Sequence, residues 1–187
     1  VIAEEVPMPA DAPGDRPPDR PDTPVAHAMI LQDLPEESGP AELAPALMAR
    51  LADLGFIAPE DVPDCARAVL DREALGSTGI GHGVAFPVLR FSRMPESARL
   101  ALAVVRPPVR FGALGGEPVD IFFLRPKPPR LTGDALRAGE WVSRLCKRAE
   151  FVAALREARS EDELWAVLHE WYEREPFPRL QRVKRGD

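Results

Sequence analysis

Cysteine is scarce: two in 187 residues, Cys65 and Cys146, far apart and with no cysteine or histidine at ligand spacing. That excludes a zinc ribbon and a C-x-x-C redox pair, and both thiols read as small core residues. No apolar run reaches the ~18 residues of a membrane span, so a soluble chain is expected. Basic residues are outnumbered, 24 against 30, for a formal charge of −6. A chain of that sign lacks the basic face that general nucleic-acid binding needs. The chain starts at Val1 with no basic segment leading into an apolar stretch. No signal peptide is read there, and a reducing cytoplasm is the expected compartment. No metal and no cofactor is expected.

Proline, by contrast, is abundant. Seven of the first 24 residues are proline, and the charges among them are mostly acidic. Such a segment buries too little apolar surface to offset its ordering entropy, so residues 1–27 read as an extended arm. The globular part is expected over 28–172. Residues 173–187, with five basic and three acidic side chains, read as a solvated tail.

Within the globular part, AMILQDL (28–34) reads as a first strand or an extended entry. Leu43, Leu47, Leu51 and Leu54 then recur at three- and four-residue spacing beside Met48, one apolar helical stripe ended by Gly55. Pro45 falls in its early turns. A second helix is expected from about Pro59 to Glu73, with Val62, Cys65, Ala66, Val69 and Leu70 inward. Two continuous apolar runs, 99–105 and 118–124, read as strands covered on both faces, and the RPPVRFGALGGEP between them reads as loop. Leu136, Trp141, Val142, Leu145 and Cys146 line a further helix, and Phe151, Val152 and Leu155 a shorter one. Ser160-Glu161-Asp162-Glu163 is a capping-box sequence opening a last helix with Leu164, Trp165, Val167, Leu168 and Trp171. Helices, then strands, then helices point to an α/β domain with layers on both faces of a sheet.

The most informative string is REALGSTGIGHGVAFP, residues 72–87. Glycines at 76, 79, 81 and 83 allow close turns with exposed N–H groups, which suit either a plain structural turn or a concavity for an anion. Ser77 and Thr78 could add hydroxyl donors to it, and Arg72 a planar fork suited to phosphate oxygens or to a carboxylate.

The whole string resembles the signature R-E-x-x-G-S-T-G-I-G-x-G-[IV]-A-[IL]-P-H of the type-2 enzyme IIA domains of the bacterial phosphoenolpyruvate-dependent phosphotransferase system. That family comprises the mannitol/fructose IIA domains and a nitrogen-regulatory branch. Every position through Pro87 fits except Phe86, which replaces Ile or Leu. VRFGALGGEPVDIFFL is similar to a second family segment and SEDELWAVL to its terminal helix, so the resemblance runs from about Met29 to Trp171. It implies a three-layer α/β/α sandwich around a central mixed sheet of about five strands.

It also implies a site, and there the sequence departs. The residue after the motif's proline is the family histidine that takes a phosphoryl group from HPr-like carriers; here it is Val88. An imidazole with a pKa near ~6.5 offers a nucleophilic lone pair, and an isopropyl group offers none. A second family histidine, near the start of the helix after the last strand, aligns near Ala135. No histidine lies between His82 and His169, so that partner is missing as well. In the family Arg72 matches an arginine associated with the phosphoryl site, and His82 a variable position that carries no phosphoryl group. The resemblance therefore implies a IIA-like module that no longer relays phosphate and acts by binding a protein, HPr-like or a regulatory target. Its face is expected as an apolar, arginine-bearing patch of Arg72, Phe86, Val88, Leu89 and Arg90. Two alternatives stand beside it: a working phosphotransfer component that uses His82, and a sensor of a phosphorylated small molecule through Arg72, Ser77, Thr78 and the loop at Gly81, His82 and Gly83.

Overall fold

A computed structural model describes residues 23–94, 99–112, 116–127 and 133–177. The arm through residue 22 and the tail from 178 lie outside the described residues. The chain opens with strand β1 (Val25–Leu31), followed by helices α1 (Pro40–Asp53) and α2 (Val62–Ala74). Three short strands come next, β2 (Gly79–Gly81), β3 (Val84–Ala85) and β4 (Val88–Arg90), then the long pair β5 (Leu100–Val109) and β6 (Val119–Lys127). Helices α3 (Gly133–Leu145), α4 (Ala149–Glu157) and α5 (Glu161–Arg174) complete it.

The sheet is mixed, in the order β1-β5-β6-β3-β2, with β4 also paired to β6. β1 runs parallel to β5, β5 antiparallel to β6, and β3 and β4 both parallel to β6. β3 and β4 are thus two halves of one interrupted strand, so six strands fill five places in the sheet. Successive side chains of a strand point to opposite faces, and the long strands are apolar on both. Leu100, Leu102, Val104, Ile121 and Phe123 pack under α3, α4 and α5. Ala101, Ala103, Val105, Phe122 and Leu124 pack under α1 and α2. Two cores on one sheet make the three-layer α/β/α sandwich, with each fully buried Leu or Phe contributing about 1.5–3 kcal/mol.

The helices form for local reasons. Pro40 sits at the start of α1, where its missing N–H has no intrahelical partner to lose. Glu42 Oε2 accepts from Gly39 N at 2.8 Å. Ser160 Oγ accepts from Glu163 N at 3.2 Å and starts α5 as expected, but the Glu163 carboxylate reaches back to Arg159 N at 2.7 Å, one residue beyond the cap. Cys65 and Cys146 are free and buried.

Some boundaries differ from the sequence reading. β1 begins at Val25 and ends at Leu31, three residues ahead of the expected span, and α5 runs to Arg174. A 3-10 turn, Pro59–Asp61, precedes α2. β5 continues through Pro107 and Pro108 into what reads as loop, with a register irregularity between Val104 and Val109. Leu136, expected on the inner stripe of α3, is 60% exposed.

Candidate functional site

The glycine string folds as a hairpin. β2 pairs antiparallel with β3, Gly79 opposite Ala85 and Gly81 opposite Val84, leaving His82-Gly83 as a two-residue turn. Both residues have positive φ, 56° and 74°, the handedness that matches strand twist in a tight hairpin. Histidine is among the few non-glycine types enriched in that region, so backbone geometry accounts for His82, whose side chain is exposed.

Gly83 has a further constraint. Its carbonyl accepts from Asp120 N and Ile121 N, each at 3.0 Å, and a Cβ there would run into the Arg156 guanidinium and the Asp120 carboxylate. Those two groups form a bidentate pair, Nε to Oδ2 at 2.6 Å and Nη2 to Oδ1 at 2.8 Å. Arg156 Nη2 also donates to the His82 carbonyl at 2.5 Å. The hydrogen bond to Asp120 raises the Arg156 pKa against the opposing effect of its burial. One arginine from α4 therefore clasps the turn to the start of β6.

The near side of the loop is equally committed. The buried Glu73 carboxylate accepts from Thr78 N at 2.6 Å and from Thr78 Oγ1 at 2.7 Å. Ser77 Oγ donates to Phe111 O and accepts from Gly79 N, both at 3.2 Å. Arg72 Nη1 donates to Gly76 O at 3.0 Å, and among the described residues no carboxylate pairs with it. The Ser77 and Thr78 hydroxyls and the Thr78 and Gly79 amides are thus engaged within the protein.

Beyond the hairpin, Phe86 N donates to Thr78 O at 3.0 Å, and Arg125 N to Pro87 O at 2.8 Å, which joins β4 to β6. The Phe86 ring stacks on Phe123 with centroids 5.7 Å apart. Val88 is 7% exposed and lies opposite Arg125; Leu89 is fully buried in the core under α1 and α2. The expected apolar patch of Phe86, Val88 and Leu89 is thus not a surface, because all three side chains are buried, Phe86 in the core under α3, α4 and α5 and Leu89 in the core under α1 and α2. The exposed apolar side chains beside the loop are Leu75, at 83%, and Ile80, at 48%.

Register divides the candidate residues into two groups. Val84 pairs with Ile121 and Val88 with Arg125, four residues along β6 and so about 13 Å apart. Gly81, His82 and Gly83 sit at one end, beside Asp120 and Arg156. Val88, Leu89 and Arg90 sit at the other, beside Arg125. Ala135 lies half-buried in the first turn of α3. Glu73, Asp120, Arg125 and Arg156 are the site's contributors that sequence reasoning does not single out. Among the described residues no group of His, Cys, Asp and Glu could hold a metal ion, and no helix is long and apolar enough to cross a membrane.

Comparison with known proteins accords with this geometry. The chain is 37% identical over 99 residues to a nitrogen regulatory protein of Pseudomonas aeruginosa, covering 52% of this chain and 62% of that one. It spans just under two thirds of the length of the curated relatives that it matches first. The nitrogen regulatory protein IIA-Ntr of Neisseria meningitidis superposes with a TM-score of 0.60 at 29% identity, over 75% of this chain and 92% of that structure. The complex of enzyme IIA-mannitol with phosphorylated enzyme IIB-mannitol from Escherichia coli matches at TM-score 0.53 and 17% identity, over 76% and 94%, and shares the fold. The family model for the phosphoenolpyruvate-dependent sugar phosphotransferase system, EIIA 2, matches residues 42–171, and with most of the chain inside that match the protein belongs to the EIIA 2 family.

Proposed function

We propose that this domain is a IIA-type module that does not carry a phosphoryl group and acts by binding a protein partner, HPr-like or a target of the nitrogen-regulatory branch, in the cytoplasm. Val88 carries the reading. It follows the motif's proline, where the family's acceptor imidazole is expected, and it is an almost fully buried hydrocarbon. Ala135 at the expected second histidine position agrees with it. His82 is a poor replacement: it sits in a hairpin turn beyond Val84, which is itself about 13 Å along the sheet from Val88, with its carbonyl held by Arg156. Support for a partner of the protein class comes from two sources. Relatives are named nitrogen regulatory proteins, and exposed Leu75 and Ile80 flank the loop.

Incubation with phosphoenolpyruvate, enzyme I and HPr tests this directly. Intact mass is expected to show no phosphoryl adduct on the full chain. A stoichiometric, acid-labile adduct that disappears in His82→Ala would overturn the reading and establish a working component.

A further inference from the structure

The far end of the sheet carries an unusual charge arrangement. β4 and β6 pair Val88 with Arg125, Leu89 with Pro126 and Arg90 with Lys127. By alternation Val88, Arg90, Arg125 and Lys127 share the face beneath α3, and three of these four are cations. Directly opposed like charges destabilise a strand pair, yet Arg90 faces Lys127. The stem of Arg125 lies against the α3 backbone at Gly139, whose Cβ would stand 3.8 Å from Arg125 Cδ and Nη1. Several arginines elsewhere are neutralised by carboxylates: Arg50 by Glu161, Arg148 by Glu175, Arg156 by Asp120. Among the described residues none pairs with Arg90, Arg125 or Lys127. In a chain of net charge −6, such a cationic cluster, with Arg90 and Arg125 exposed, offers a complementary seat for an acidic segment.

Register shows which part of the chain emerges there. Val25 pairs with Leu100, and Ala101 with Leu124. One step further sets Leu100 opposite Arg125, which faces Val88. Val25, Leu100, Arg125 and Val88 thus form one row across the sheet. The start of β1 lies two strands from Arg125, about 10 Å, and three strands and two residues from Arg90, about 16 Å. Thr23 fixes the exit: its hydroxyl donates to Val25 O at 3.0 Å and Arg99 donates to its carbonyl at 3.1 Å. Residues 1–22 lie upstream, with six carboxylates against two arginines. Five extended residues, at about 3.3 Å each, cover the gap, which brings Asp19 and Asp22 within reach. Tethering supplies an effective concentration that lets a few charge contacts suffice.

We propose that residues 1–22 dock in cis, through their carboxylates, on the cationic end of the sheet formed by Arg90, Arg125 and Lys127, covering the strip beside Val88. The assignment stands on charge and register and does not depend on whether Val88 marks a lost nucleophile.

Paramagnetic relaxation on the full chain tests it. Cys65 and Cys146 are buried, so a nitroxide on Ala12→Cys labels the arm alone. At low salt the amides of Val88, Leu89, Arg90, Arg125 and Lys127 are expected to broaden. The effect should fall by about tenfold at ~0.5 M NaCl, where the Debye length is only a few Å. It should fall equally at low salt in Arg90→Gln/Arg125→Gln/Lys127→Gln, with circular dichroism confirming that this variant remains folded. No broadening in the full chain, or undiminished broadening in the triple variant, would overturn the proposal. So would broadening that transfers to an isotope-labelled chain mixed with a nitroxide-bearing second copy, which would assign the arm to a neighbouring molecule. Release by inorganic phosphate at an ionic strength where chloride has no effect would also overturn it, and would assign the cluster to phosphoanions.

Discussion

Gly83→Ala should cost far more than a glycine in the same backbone conformation ordinarily does. Gly83 and Gly55 have nearly the same φ, 74° and 71°. An L-residue in that left-handed region costs about 1–2 kcal/mol, and nothing lies within 4 Å of a Cβ at Gly55. Gly55→Ala should therefore lose only that amount. At Gly83 the methyl group meets the Arg156–Asp120 pair, so the pair must part or the turn must shift. The pair is partly solvated, with Arg156 40% and Asp120 17% exposed, which limits its Coulomb energy to about 1 kcal/mol. The lost donation from Arg156 to His82 O adds roughly the same. The expected total for Gly83→Ala is about 3–4 kcal/mol. Urea unfolding at unchanged m-value measures it, and Tm should fall by about 2–4 °C per kcal/mol. A loss equal to that of Gly55→Ala would refute the clasp. So would simple additivity with Arg156→Met: if the clash is real, removing the guanidinium should cost less in the Gly83→Ala background than in the parent.

Other outcomes follow from the same contacts. Glu73→Gln should weaken the two bonds from Thr78 by about 1–3 kcal/mol in total and speed hydrogen exchange at Thr78 N, while amides of β5 keep their protection. Leu102→Ala, at a fully buried position in the centre of the sheet, should cost about 2–5 kcal/mol by urea unfolding; a loss below 1 would mean that this core is loosely packed. Burial pushes the Cys146 thiol up to about 12, and burial with Asp64 pushes Cys65 up to about 11. Unfolded thiols ionise near about 9, so above that pH the unfolded state binds fewer protons and stability falls as pH rises. Cys146→Ala should flatten the decline between pH about 9 and 11 in pH-dependent urea unfolding. A pH slope identical to the parent's would argue against the burial account.

Much of the fold is legible because the two central strands are apolar on both faces: Leu100 to Val105 and Ile121 to Leu124 can sit only between two layers. Length at their ends is less legible. Pro107 and Pro108 argue for a loop, but β5 accommodates them beyond a break in its register, a tertiary outcome that local propensity does not carry. On α3 the periodicity captures Trp141, Val142 and Leu145, which are buried, but places Leu136 inward where the first turn stands clear of the sheet. At the site, the glycine string is visible but its purpose is not. Glu73 and Asp120 stand in plain view inside quoted motifs; what makes them matter is Thr78 and Arg156, and Arg156 arrives from 36 positions further along the chain. Arg125 is hidden by its neighbours, since a single charge ending an apolar strand looks like a solvated terminus until β4 is seen beside it.

The contacts within the motif suggest how residue 88, the position proposed for the acceptor, can vary without loss of the fold. The residues from Glu73 to Phe86 hold one another: Glu73 with Thr78, Thr78 with Phe86, Gly83 with Asp120 and Ile121. Val88 contributes a strand pair and a buried surface, which an imidazole can also supply at modest cost. Val88→His should therefore fold, with a stability loss of about 1–3 kcal/mol from burying a polar ring. Burial and the adjacent Arg125 both disfavour a second positive charge, so the introduced imidazole should titrate below the ordinary ~6.5 and be neutral at pH 7, the nucleophilic form. NMR of the ring protons gives its pKa, and the enzyme I–HPr cascade shows whether it accepts phosphate. A pKa above ~6.5 would show that the guanidinium does not reach this position; a neutral ring that stays unphosphorylated would show that an imidazole at 88 alone does not suffice, and Ala135→His in the same background is the next variant.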